Sequence, residues 1–266
     1  MATDDDVAAD EGPIAVLGVS VERLRRLAGG LTAEQIRRPA YPSEWTVAQV
    51  LSHIGSGAVI IRRRLEDTLA GHDFDDAFMQ ATWDTWNAKA PDDQAADALV
   101  ADRALFDALA GVGPDQRSGF HVAFGPLDLD FAAFVRLRLN EHALHTWDIA
   151  VALDPSAPLP ADVTGQVVDG LEMMAGWTGR PAAEPHTLRV RTTDPGRDFT
   201  LELGIERVVL APSLAGAGAA ADAAVDLELP AEAFVRLVYG RLDPDHTPAG
   251  TDETHLDELR RTFPGP

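Results

Sequence analysis

The chain has 266 residues, 43 acidic and 22 basic, for a formal charge of -21 at neutral pH. That length suits one large domain or two medium ones, and the charge repels nucleic acid and anionic lipid surfaces, so neither is expected as a partner. The chain has no cysteine, which excludes disulfides and thiolate ligands, and its single lysine, Lys89, is poorly placed for Schiff-base catalysis.

Residues Thr3 to Gly12 are small and acidic and read as a flexible tail. The start Met1-Ala2-Thr3-Asp4-Asp5-Asp6 lacks the basic and apolar regions of a signal peptide, and no apolar run is long enough to span a bilayer, so a cytoplasmic protein is expected. Val16 to Leu27 is a first amphipathic helix, ending near Gly29-Gly30. In the second, Val47, Val50, Leu51, Ile54, Ala58, Ile61, Leu65 and Leu69 recur at three and four behind Ser43 as N-cap, with a stop at Gly71. His53 lies on the edge of that stripe, beside Val50 and Gly57. Asp75 to Trp86 and Asp93 to Leu109 are further helical patterns, the latter broken by Gly111-Val112-Gly113-Pro114. A long helix then covers Phe131 to Leu153, and the helices together predict a four-helix bundle over 13–156.

After Pro155 the character changes. One helix, Ala161 to Trp177, lies among prolines, and the apolar period then drops to two. Leu188 to Thr192 and Phe199 to Leu203 alternate around Asp194-Pro195-Gly196-Arg197, which is a hairpin signal. Glu206 to Leu210 and Ala224 to Leu229 add short strands, separated by the Ala/Gly-rich stretch Ala211 to Ala221, and Pro230 opens a helix running to Tyr239. Residues 157–266 are therefore expected to form a smaller α+β domain.

The chemistry concentrates in Arg138-Leu139-Asn140-Glu141-His142-Ala143-Leu144-His145-Thr146-Trp147-Asp148. Helical geometry puts Glu141 and His145 on one face, with Arg138 and Asp148 three residues outside them. With His53 from the second helix, they make a candidate metal site of two imidazoles and one carboxylate. That set suits Zn²⁺ with a fourth position open to water or substrate, where a bound water or thiol would ionise near neutral pH. The same set also matches the facial triad of non-haem iron, although those sites usually sit on strands. Asp148 can orient a ligating imidazole, and Arg138 can hold Glu141 or a substrate carboxylate. Singly, a Glu and a His four apart are common, and a lone histidine is more often solvated or satisfied in a core. His142 is the rival ligand and is expected to face outward. His72, His121, His186, His246 and His255 read as ordinary surface residues. Trp45, Trp147 and Trp177 read as core or interdomain anchors, and Trp83 and Trp86 as candidates for a pocket mouth.

Three segments resemble the mycothiol-dependent maleylpyruvate isomerase family. Trp45-Thr46-Val47-Ala48-Gln49-Val50-Leu51-Ser52-His53-Ile54 is similar to its W-[ST]-V-x-x-[VL]-[LI]-x-H-[LI] segment. Arg138-x-x-Glu141-x-x-x-His145-x-x-Asp148-Ile149 is similar to its R-x-x-E-x-x-x-H-x-x-D-[LI] segment, and Tyr239-Gly240-Arg241 to its closing G-R element. The resemblance implies a DinB-like four-helix bundle followed by a sterol-carrier-like domain. It also implies one Zn²⁺ per chain on His53, Glu141 and His145, mycothiol as thiol cosubstrate, and Arg241 reaching toward the cleft between domains. The implied reactions are thiol-assisted cis-trans isomerisation or thiol transfer on a small, carboxylate-bearing electrophile, with Arg241, Arg138 and Asp148 assisting, in a monomer or homodimer. The alanine-rich, arginine-over-lysine composition is that of a GC-rich genome and points to an actinobacterial source. The chain departs from the family in its acidic start, in the Ala211 to Ala221 insert and in Met79 to Trp83, which leaves the substrate open. Two other classes remain: a hydrolase with metal-bound hydroxide on the same His53, Glu141 and His145, and a non-catalytic small-molecule binding protein that holds an apolar ligand on the sheet domain and keeps the metal as a structural clip.

Overall fold

In a computed structural model, residues 12–125, 127–213 and 225–265 are described. The chain divides between Pro158 and Leu159 into two units. The acidic tail and most of the Ala/Gly-rich insert lie outside the described residues. The insert's first two residues, Ala211 and Pro212, finish a strand instead of opening a loop.

In the first unit, four long helices carry the core: α1 (Pro13–Ala28), α2 (Val47–Ala70), α4 (Pro91–Ala110) and α6 (Phe131–Leu153). They pack in a ring, α1 on α6, α6 on α2, α2 on α4 and α4 on α1, and α3 (Asp76–Asn87) lies on α2. The α2 helix begins at Thr46, not at the expected Ser43. Thr46 Oγ1 accepts from the Gln49 amide at 3.3 Å while the Gln49 side chain accepts from the Thr46 amide at 2.8 Å. This reciprocal pair satisfies two donors that a helix start leaves open. The helix stops at Gly71 as expected. Its apolar stripe holds to Leu65, whereas Leu69 in the last turn is exposed.

The α6 helix differs from the others because most of its circumference is buried, including Arg138, Asn140, His142, Thr146 and Asp148. Burial of so much polar surface requires partners: Arg138 Nη2, His142, Thr146 and Asp148 have them, whereas Arg138 Nε and Asn140 Oδ1 make no hydrogen bond among the described residues. Four elements of the first unit escaped the periodicity: a 3-10 turn at Gln35–Arg37, the short helix α5 (Pro114–Ser118) and the two strands of the hairpin β1 (His121–Phe124) to β2 (Leu127–Asp130). Each is too short to show a repeat.

In the second unit, the single helix expected over Ala161 to Trp177 is two, α7 (Ala161–Val168) and α8 (Leu171–Thr178). The break at Asp169-Gly170 lets α7 bury Val163, Val167 and Val168 while α8 buries Leu171, Met174 and Ala175. The sheet is mixed, in the order β5 (Val208–Pro212), β4 (Arg197–Leu203), β3 (His186–Thr193), β6 (Leu227–Pro230). The expected hairpin pairs β3 with β4 antiparallel, and β6 runs parallel to β3. Leu188, Val190, Phe199, Leu201 and Leu203 point into the core, the alternation of a sheet with one covered face. Helix α9 (Ala231–Val238) packs Phe234 against Phe199, with ring centroids 5.5 Å apart. A last short helix, α10 (Leu256–Thr262), follows. None of the described helices is long and apolar enough to cross a membrane.

Candidate metal centre

His53 lies in the second turn of α2, and Glu141 and His145 lie one turn apart on α6. The packing of α2 on α6 brings all three together. Glu141 Oε2 is 3.5 Å from His53 Nε2 and 3.6 Å from His145 Nε2, and the two imidazole centroids are 4.5 Å apart. One ligand atom from each residue falls within 4.8 Å of the other two. These N···O separations exceed the ordinary N–H···O distance. They are close to the roughly 3.3 Å expected between two ligand atoms each ~2.0–2.1 Å from a tetrahedral zinc. His53 and Glu141 are partly exposed, with side chains 37% and 43% accessible, whereas His145 is 11% accessible, so the cluster opens to solvent on one side.

The electrostatics favour a cation there. Partial burial pushes the Glu141 carboxyl up, but contact with His145 and His53 and their charge outweigh it and hold the group well below the usual carboxylate range. Burial pulls the His145 imidazole down. The hydrogen bond to Asp148, the contact with Glu141 and the charge of both reverse this and raise it above the ordinary value. Asp148 is fully buried and accepts from His145 Nδ1 at 2.9 Å. That bond turns Nε2 of His145 toward the cluster, 3.6 Å from Glu141 Oε2, and Nε2 is the nitrogen that would bind a metal in exchange for its proton, the arrangement of a ligating histidine with an orienting carboxylate. Oxygen and nitrogen donors of this number and spacing fit a borderline divalent ion.

A model for the mycothiol maleylpyruvate isomerase N-terminal domain matches residues 17–150, which include all three donors. The chain belongs to that family. Its fold is similar to the crystal structure of the mycothiol-dependent maleylpyruvate isomerase, with a TM-score of 0.62, 14% sequence identity, and 91% of this chain and 92% of that one covered. A histidine-to-alanine mutant of that isomerase matches equally, with a TM-score of 0.63 at 13% identity over 91% and 92% of the two chains. No curated protein matches the chain in sequence.

Within this family member, several expected side chains occupy other places. Arg138 does not hold Glu141. It is buried, and its Nη2 donates to Asp102 at 2.7 Å and to the Ile54 carbonyl at 3.1 Å. The cause is burial, since a guanidinium inside a bundle needs a buried counter-charge. His142 does not face outward. It has no exposed surface, with Nε2 on Asp102 at 2.9 Å and Nδ1 on Ser20 at 2.8 Å, because α6 is covered on that side as well. Trp45 is not a core anchor. It is 37% exposed at the rim of the site, its ring centroid 5.4 Å from His53 and 6.4 Å from His145, near parallel to the latter. Trp147 is buried and donates Nε1 to the Ala157 carbonyl. Trp86 belongs to the core instead of a pocket mouth, whereas Trp83 and Trp177 are exposed.

Sequence reasoning missed Asp102 and Ser20. Asp102 is the one buried carboxylate on α4, and an aspartate amid an apolar helical stripe is a legible signal in itself. Burial opposes its ionisation, but His142 and Arg138 outweigh burial and hold the carboxyl well below the usual range. Arg241 belongs to the second unit, where its side chain is buried and donates to the Tyr239 carbonyl at 2.9 Å. Of the histidines read as surface groups, His121 and His186 are exposed but begin strands, facing Asp128 and Glu258, and His246 is partly buried against Asp243.

Proposed function

We propose that this chain is a zinc-dependent enzyme that uses an external low-molecular-weight thiol, mycothiol, to modify or isomerise a small carboxylate-bearing electrophile. The observation that carries the reading is the convergence of His53, Glu141 and His145 at ligand spacing, with Asp148 holding the far side of one imidazole. Family membership and the shared fold support the reaction class, and the substrate is left open. Bound to these donors, Zn²⁺ supplies Lewis acidity that keeps a thiol ionised near neutral pH.

The protein's own groups do the rest. Asp148 fixes the tautomer of His145, Glu141 supplies negative charge between two imidazoles, and the Trp45 ring shields one side of the cluster from water. The thiol comes from solution, since the chain has no cysteine. In isomerisation a thiolate adds to an activated double bond, the resulting single bond rotates, and expulsion of the thiol restores the double bond in trans geometry. In transfer the new carbon–sulfur bond is kept, and the enolate left by the broken π bond takes a proton from water. Arg241 is the proposed group for a substrate carboxylate or for enolate charge. The proposed partners are small molecules, with no nucleic acid or membrane surface, and the proposed assembly is a monomer or homodimer. A hydrolase on the same donors would need a free base beside them, and Asp148 is enclosed and bonded to His145.

The test is elemental analysis of the protein beside His53→Ala and His145→Ala, followed by titration with mycothiol. One zinc per chain, lost in both variants, with thiol binding only to the loaded form, is the expected result. A chain that takes no metal after reconstitution would leave the cluster as scaffold and favour a non-catalytic binding protein.

A further inference from the structure

We propose that Arg138 and Asp102 form a buried strut that sets the gap between His53 and Glu141, positioning the metal donors without touching metal or substrate. The inference rests on the metal reading above. Arg138 sits one turn before Glu141 on α6, and its Nη2 donates both to Asp102 Oδ1 at 2.7 Å on α4 and to the carbonyl of Ile54 at 3.1 Å on α2. Ile54 follows His53 directly in the chain. The other oxygen of Asp102 accepts from Nε2 of His142 at 2.9 Å, and His142 follows Glu141 directly. A single carboxylate thus holds the backbone neighbour of each ligand, one through Arg138 and one through His142. The chain of contacts continues from His142 Nδ1 to the Ser20 hydroxyl at 2.8 Å on α1, so that all four bundle helices meet in it.

Apolar packing alone is non-directional and lets two helices slide or rotate by fractions of an ångström at little cost. A planar guanidinium shared between a carboxylate and a carbonyl has fixed angles and resists both motions. Helix α2 is shaped for it. A Cβ at Gly57, one turn beyond His53, would stand 3.3 Å from Arg138 Nη1, and apart from its own stretch of helix no other atom among the described residues lies within 4 Å of it. The guanidinium lies against the bare backbone there, and a methyl group would press on it. Ser20, His142 and Asp102 line up like a nucleophile, base and acid, but all three are buried, at 1%, 0% and 2% exposure. No substrate reaches them, and their role is positional.

The experiment is zinc titration of the full-length apo chain against a chromophoric chelator, with the Co²⁺ absorption spectrum of each saturated form as the readout of donor geometry. Asp102→Asn keeps the size and removes the charge. It is expected to weaken zinc binding at least threefold, less than the loss of a group bonded directly to a ligand, and to alter the cobalt spectrum. Leu65→Val, a buried core change on α2 two turns beyond Gly57 and away from the strut, is expected to leave affinity and spectrum unchanged while lowering stability. Gly57→Ala raises helix propensity yet presses on Arg138 alone, and is expected to weaken binding at least threefold; it decides the matter should Asp102→Asn fail to fold. Unaltered affinity and spectrum in a folded Asp102→Asn, or in Gly57→Ala should the former not fold, would overturn the strut. An unsubstituted chain that binds no zinc would remove the metal reading itself before any variant is compared.

Discussion

Asp148→Asn tests the orienting carboxylate with little change in shape. Asp148 is fully buried, and its 2.9 Å bond to His145 Nδ1 is charge-assisted. Bonds to charged groups contribute about 1.5–3 kcal/mol and neutral ones about 0.5–1.5 kcal/mol, so the substitution removes on the order of 1–1.5 kcal/mol of support for the ligating tautomer. That is about tenfold in metal affinity, within the range for such second partners. Proton competition adds a signature. The hydrogen bond to Asp148 and the contact with Glu141 raise the His145 imidazole despite its burial, so protons compete with metal more strongly in the unsubstituted chain, and its apparent affinity falls further as pH drops. The asparagine variant has a less basic imidazole and loses less on acidification. Chelator competition at pH 8 and pH 6 should therefore show a gap of about tenfold that narrows at the lower pH. Equal affinities at pH 8, or a gap that widens at pH 6, would refute the reasoning.

Acid unfolding should register Asp102. Its carboxyl is held below the ordinary value, so its contribution to stability is complete above about pH 3.9, the ordinary aspartate value. That contribution is lost as pH falls through the depressed value. Circular dichroism on acidification should show a weaker pH dependence in Asp102→Asn, and superimposable curves would contradict the ion pair. Gly55→Ala should destabilise by about 1–3 kcal/mol through overpacking, although alanine is the better helix former. The new Cβ would lie within 2.3 Å of the Trp86 ring and 2.8 Å of the Ala98 backbone. A higher Tm in that variant would show that Trp86 can move aside. Zinc at about 100 times its Kd should stabilise the first unit by about 2.7 kcal/mol, or about 8 °C for a unit of this size. Calorimetry should find that shift missing in His145→Ala, and an equal shift there would place the metal elsewhere.

The ligand stripe is legible in the sequence because helical periodicity is local. Glu141, His145 and Asp148 are separated by four and three residues, and any α-helix over Phe131 to Leu153 puts them on one side. His53 is legible by the same rule, on the edge of an apolar stripe that must face a partner. The α6 bounds agree with the expected range, since Asp130 caps the start and the chain turns irregular after Asp154. The division of the Ala161 to Trp177 segment is not legible, because one helix or two satisfy the same apolar spacing until the surfaces they cover are known.

What the amino-acid order settles, then, is which residues share a helix face or alternate along a strand, since those relations depend only on the backbone repeat. It cannot say which faces meet or how completely a side is covered. The helix face of Arg138 suggests Glu141 as its partner, three residues away, whereas the folded bundle gives it Asp102, 36 residues away. His142 has the pattern of a solvent-facing neighbour and lies sealed in the core. Both reversals have one cause: α6 is enclosed by other helices around most of its girth, and a buried charge is satisfied by whatever counter-charge the packing brings within reach.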